Sequence, residues 1–291
     1  MKKTIALISL LAALLLFPVL VSAQTVVTSF YPIYLLTVNL TQGIGEIEVH
    51  NLTSSTGGCL HDYQLSTADM KALSEADVFL INGAGMESFL DLVTEAFPEL
   101  PVVDASVGIA LLPDESGESL WNAHVWLDVR NAQQMLCNLC DGLREVWPEY
   151  ADALTDNRDA YFTTLSVLDE DLRLALADVP RKDIITFHEA FPYFAQAYGL
   201  NVAAVVALDP EDSLSPKRLA TLIDTVRSLN NPPLFTEPQY ESLAAETIAA
   251  ETGAKIYELD PVVTGPLDNA LTYYEDTMRR NLEVLLEALS E

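Results

Sequence analysis

Basic residues are scarce in this 291-residue chain: 15 Lys and Arg stand against 43 Asp and Glu, for a formal charge of −28. Phosphate recognition needs clustered Lys and Arg, so the balance excludes a nucleic-acid partner. The acids are spread along the chain rather than gathered in a tail, which reads as a self-repelling, soluble surface. Cysteine is also rare, at positions 59, 137 and 140. An odd count rules out complete internal pairing. Histidine occurs four times, at 50, 61, 124 and 188. No low-complexity tract or short-period repeat is present. After the first two dozen residues, no apolar run is long enough to span a bilayer.

The first two dozen residues carry an apolar run that approaches spanning length. "MKK" precedes "TIALISLLAALLLFPVLVSAQT". A basic start, an apolar stretch and small residues at Ser22 and Ala23 have the layout of an export signal. We expect residues 1–23 to be a signal peptide cleaved after Ala23. Position 24 is Gln, so no cysteine is available there for lipid attachment.

The remaining chain alternates short apolar runs with helical patterns. Candidate strands in the first half are 25–30, 47–53, 76–83 and 100–106. Those in the second are 183–188, 200–208, 232–238 and 254–260. Between them lie a helix opening at Ser66 or Thr67, a capping residue, and another from about Gly85 to Ala96. A third, "RNAQQMLCNLCDGLREVW", has Ala132, Leu136, Cys140, Leu143 and Trp147 on one face. Ser215 and Pro216 have the order expected of an N-cap and a first helical residue. A last helix is expected over 267–289. Such alternation predicts α/β architecture with parallel sheets flanked by helices.

A continuous helical pattern from about Glu149 to Val179 separates the halves, with Leu154, Tyr161, Leu165, Leu168, Leu172 and Leu176 recurring at helical spacing. A helix of this length spans roughly 45 Å. It predicts two lobes on a rigid strut: 24–148, a connecting helix at 149–179, and 180–291.

Open parallel sheets bind ligands beyond the C-terminal ends of their strands. His61 and His124 follow strands of the first half. His188 ends the first strand of the second half, and Asp260 ends its last. Three imidazoles and one carboxylate suit a zinc-like cation held between lobes. His50 lies within a strand, on the face opposite Ile47 and Val49, and is read as a surface residue. "HEAFP" begins like the helical zinc-hydrolase motif His-Glu-x-x-His, but Pro192 occupies the second histidine position. Four protein ligands would also close the site to a catalytic water, so no enzymatic activity is expected. "CNLC" sits within an amphipathic helix rather than at a strand–helix junction, which favours packing over redox chemistry.

At these residues a family resemblance enters. "CLHDYQLSTADMKALSEADVFLINGAGMESFL", "AHVWLDV", "ITFHEAFPYFAQAYGL" and "LFTEPQYESLAAETIAAETGAKIYELDPV" resemble the ligand-bearing segments of the zinc/manganese substrate-binding proteins of ABC transporters. The resemblance covers nearly the whole chain after the export signal, including the strut. It implies two lobes with four-stranded parallel sheets and metal ligands at His61, His124, His188 and Asp260. It also implies a periplasmic receptor, expected as a monomer, that hands zinc to a membrane permease. Manganese is the alternative cargo and surface adhesion the alternative role. Manganese-type members tend to carry Glu where this chain has His188, and imidazole suits zinc better. The chain departs from zinc-type members in "LLPDESGESLW", which is short, acidic and free of histidine, and in having Leu60 where proline often precedes the first ligand.

Overall fold

The computed structural model describes residues 23–53, 63–114, 119–206, 215–239, 243–268 and 270–290. Among the described residues the strands are β1 (Gln24–Thr28), β2 (Ile47–Asn51), β3 (Val78–Ile81), β4 (Val102–Asp104), β5 (Asp183–Thr186), β6 (Asn201–Val205), β7 (Leu234–Thr236) and β8 (Ile256–Glu258). They form two sheets with orders β2-β1-β3-β4 and β6-β5-β7-β8, and every pairing is parallel. The two halves therefore share one topology. In each sheet the order reverses between the two central strands, β1/β3 and β5/β7. This is where open α/β sheets present a ligand crevice.

Burial explains the strand sequences. β3, "VFLI", is buried at every position, as a strand covered by helices on both faces must be. β2 runs along an edge and alternates, with Glu48 and His50 exposed and Ile47 and Val49 partly covered.

The helices are α1 (Tyr31–Leu40), α2 (Thr67–Ser74), α3 (Leu90–Ala96), α4 (Val129–Val146), α5 (Ala151–Ala177), α6 (Pro192–Tyr198), α7 (Pro216–Ser228), α8 (Leu243–Thr252) and α9 (Tyr273–Leu289). Ser66 caps α2 in a reciprocal capping box with Asp69, satisfying two otherwise orphaned N–H groups. Ser215 caps α7 by accepting from the Arg218 N–H, with Pro216 opening the helix. The connecting helix α5 is 27 residues long, roughly 40 Å. All six apolar residues of its predicted stripe are buried.

Two expected helix starts move. The α3 helix begins at Leu90 rather than Gly85, because Gly83, Ala84 and Gly85 have φ of 77°, 53° and 84°. Three left-handed residues in succession cannot continue a right-handed helix. The last helix begins at Tyr273 rather than 267, after a short 3-10 turn at Ala270–Thr272. Helices α1, α6 and α8 carry no expectation from sequence. Nine of the ten residues of α1 are buried, so no polar face marks its period.

The core is continuous across the halves. One apolar cluster joins Val26, Leu35, Phe79 and Leu136 of the first half to Leu165 and Leu172 of the strut and to Phe191, Phe235, Val262 and Leu285 of the second. A smaller cluster of Ile185, Val206, Leu222, Val226, Leu234, Ile248 and Ala254 lies under the second sheet's outer helices. Among the described residues, no helix is long and apolar enough to cross a membrane.

Candidate metal centre

His124 sits where a turn is pinned by its neighbours. Asn122 N–H donates to the Leu112 carbonyl at 2.9 Å, and Val125, Trp126 and Leu127 form a 3-10 turn that is almost wholly buried. Asp128 then caps α4 through the Arg130 N–H. The apolar turn inserts into the core and carries His124 with it, leaving the residue 4% exposed. The Asn122 side-chain oxygen accepts from the His124 N–H at 3.0 Å and stands 3.2 Å from the ring Nδ1. The Asn122 amide nitrogen donates to the Glu189 carbonyl at 2.8 Å, which fixes the amide's orientation. Its oxygen therefore faces Nδ1, and Nδ1 carries the ring proton.

His188 lies two residues past β5 rather than at its last position. It is 7% exposed. Its ring meets that of His124 edge to face, with centroids 4.8 Å apart. The two imidazoles come from opposite halves of the chain. His188 Nδ1 is 3.3 Å from Oε1 of Glu237, a buried residue just past β7. Thus β5 and β7, the strands flanking the second switch point, deliver an imidazole and a carboxylate to the same spot. Glu237 is the residue that sequence reasoning missed. The strand-end argument that selected the histidines applies equally to "LFTEP".

Asp260 lies two residues past β8 and is partly buried. Asn281 of α9 binds its backbone twice: Asp260 N–H donates to Asn281 Oδ1 at 2.9 Å, and Asn281 Nδ2 donates to the Asp260 carbonyl at 2.8 Å. The Val262 N–H donates to Asp260 Oδ1 at 2.8 Å. Val262 itself is fully buried at φ +62°, a costly conformation for a β-branched residue that only a fixed surrounding sustains. Trp126 Nε1 donates to the Pro261 carbonyl at 2.8 Å. Burial pushes the Asp260 carboxyl above its ordinary range, and Glu237's charge adds to this. The Val262 N–H, the Gln239 side chain and Arg280 oppose it. A cation beside these carboxylates would relieve their mutual repulsion.

The structure thus brings His124 and His188 together, with Asp260 on a turn hydrogen-bonded to the His124 segment. His61 lies outside the described residues. Among the described residues, no three His, Cys, Asp or Glu side chains are grouped closely enough to hold a metal. His50 is exposed on β2, away from the seam. Cys140 is buried with its thiol toward the Leu154 carbonyl, 3.6 Å away, and burial pushes its pKa up to about 11. Burial raises Cys137 as well, so neither is a poised thiolate. Cys59 lies outside the described residues.

Two parallel α/β lobes of like topology, joined along a buried seam that holds an imidazole from each, define a two-lobed binding protein. Residues 26–288 match the family described as "Zinc-uptake complex component A periplasmic", ZnuA, and the chain belongs to that family. The manganese-binding lipoprotein MntA of Halalkalibacterium halodurans is 29% identical over 234 residues, 79% of this chain and 78% of that protein. The zinc-binding protein AdcA of Streptococcus pyogenes serotype M3 is 29% identical over 285 residues, 89% of this chain and 55% of that protein. The chain thus spans little more than half of AdcA's length. The solved structure of the laminin-binding protein Lmb of Streptococcus agalactiae, described as bifunctional with adhesin and metal-transporting activity, superposes with a TM-score of 0.81 at 29% identity. That match covers 91% of this chain and 99% of Lmb. The family is one of substrate-binding receptors.

Proposed function

We propose that this protein is an exported, monomeric receptor that binds one zinc ion between its lobes and delivers it to an ABC importer, without chemistry on its cargo. The observation that carries the reading is the buried edge-to-face pair of His124 and His188, contributed by opposite halves. The ligands in this reading are His61, His124, His188 and Asp260. Membership of the zinc-uptake family and the zinc-binding name of AdcA support it. The lobes are 24–148 and 180–291, joined by the connecting helix at 149–179.

The name of MntA favours a second reading, manganese as cargo. Imidazole-rich sites prefer zinc, while manganese favours carboxylates. Competition titration of the metal-free mature chain with both ions decides between them. Zinc is expected to bind more tightly. Equal or tighter manganese binding overturns the zinc assignment, and binding of neither ion overturns the receptor itself.

In the same reading the export signal is removed after Ala23. MntA is named a lipoprotein, whereas residue 24 here is Gln. Intact-mass analysis of the exported protein should give a chain starting at Gln24 without added lipid. Retention of residues 1–23, or a lipid adduct, defeats this part of the proposal.

A further inference from the structure

His124 is flanked, two residues before and two after, by side chains that cross to the second half. Asn122 donates to the carbonyl of Glu189, the residue immediately after His188. Trp126 donates to the carbonyl of Pro261, the residue immediately after Asp260. The second half answers both contacts: the Tyr193 hydroxyl donates to the Asn122 carbonyl at 2.8 Å and the Tyr274 hydroxyl to the Trp126 carbonyl at 2.6 Å. Asn122 and Trp126 are 3% and 1% exposed. Buried donors of this kind are costly to leave unpaired, so the four bonds hold one geometry.

Building on the metal-receptor reading, we infer that Asn122 and Trp126 are the positioning residues of the site, a two-armed clamp that sets His124 against His188 and Asp260 before any metal arrives. Asn122 does two things. Its oxygen holds the proton on Nδ1 of His124, so the nitrogen with the lone pair is Nε2. Its nitrogen fixes the backbone beside His188. Trp126 fixes the backbone beside Asp260, at the turn that keeps Val262 left-handed. Fixing ligands in advance lowers the ordering cost of binding. Residues that orient metal ligands from behind are typically worth about 10–100-fold in affinity.

The test uses the full mature chain stripped of metal by chelation. Long-range ¹⁵N–¹H correlation at pH 8 reads the imidazole tautomers of the wild type. His124 is expected as the Nδ1–H form, although a free histidine side chain in water favours Nε2–H. An Nε2–H signal overturns the Asn122 arm without any variant. Zinc is then titrated against a chromophoric chelator. Asn122→Ala and Trp126→Phe are expected to weaken binding by about 10–100-fold, and to change the cobalt(II) absorption bands that report ligand geometry. Tyr161→Phe removes a hydrogen bond to Glu275 at 2.9 Å that is none of the four clamp bonds, and should leave both readouts unchanged. Wild-type zinc affinity and cobalt bands in the folded clamp variants, or losses no larger than those of Tyr161→Phe, overturn the clamp. If the variants do not fold, the wild-type tautomer decides on the Asn122 arm, and hydrogen exchange of the Trp126 indole N–H, bonded to the Pro261 carbonyl, decides on the other: an unprotected indole in the metal-free chain overturns it. If the wild type takes up no zinc, the receptor reading falls, and the tautomer still decides on the Asn122 arm.

Discussion

Replacing His124 or His188 with alanine is expected to weaken zinc binding on the order of a hundredfold or more. Structural zinc sites with four ligands supply about 10–16 kcal/mol of apparent binding energy, so one ligand represents roughly 3 kcal/mol, or about a hundredfold. Each variant also leaves the partner imidazole facing a void, since the rings are 4.8 Å apart. The effect reads out in folding as well as binding. Zinc at a hundred times the dissociation constant stabilises the wild type by about 2.7 kcal/mol. For a chain of this size that raises the melting temperature by roughly 5–10 °C. At the same zinc concentration a variant weakened a hundredfold gains only about 0.4 kcal/mol. Calorimetric melting with and without zinc, beside a competition titration, checks both quantities. His50→Ala, on the exposed edge of β2, should behave as wild type. Affinity within threefold of wild type in both site variants would end the assignment of these histidines.

The second large effect is a fall in folding stability as pH rises, traced to Glu87. This buried carboxylate accepts from the Ser29 hydroxyl at 2.7 Å, the Asn82 N–H at 2.7 Å and the Gly83 N–H at 3.1 Å. Burial nevertheless outweighs these bonds and pushes its pKa from 4.5 up to about 7. Between those values the folded state holds a proton that the unfolded chain has released. Its contribution to stability is therefore full below pH 4.5 and lost as pH climbs through 7, about 3 kcal/mol in all. Burial also raises Asp128, Asp260 and Glu275, which steepens the trend. Asp169 opposes it: despite burial, Arg173 and Arg130 hold its carboxyl below the ordinary range. Urea unfolding of metal-free wild type and Glu87→Gln at pH 5 and pH 8 isolates the residue. The amide costs stability at pH 5, because its NH₂ cannot accept from Gly83. Between these two pH values its variation should be smaller by about 2.5 kcal/mol. An unchanged pH dependence in Glu87→Gln would remove Glu87 as the cause.

The elements that sequence exposed are those whose burial is one-sided or whose ends carry a chemical marker. The strut stripe from Leu154 to Leu176 declared its helix because its opposite face is polar. Every strand was visible as an apolar run with turn residues after it, although each proved shorter at one or both ends. α1 was not visible, since buried on nearly every side it has no period to read. The left-handed Gly83–Gly85 turn was also hidden, because glycine permits that geometry without demanding it. At the site, rare residues stood out. Three histidines at strand ends could be picked from four, and two of them meet in the structure. Asn122 and Trp126 gave no comparable signal, and Glu237, though it follows a strand as the histidines do, is one acid among 43. Their importance lies in which backbone or ring they touch, and those partners are 67, 135 and 49 positions away. A residue that acts through such partners is legible only once the fold has brought them together.

The seam also dictates an order of assembly. Tyr31 of α1 donates to the Pro266 carbonyl, 235 positions later, and Asn39 donates to the Leu271 carbonyl, 232 positions later. Contacts at such separation form only after a large loss of chain freedom. The first half is closed against residues from the far end of the chain: Pro266, Leu271 and Tyr273, whose ring meets that of Tyr31 edge to face. These partners of α1 are made only after most of the second half has been synthesised. Completing the interior of the first half thus waits on the end of the second.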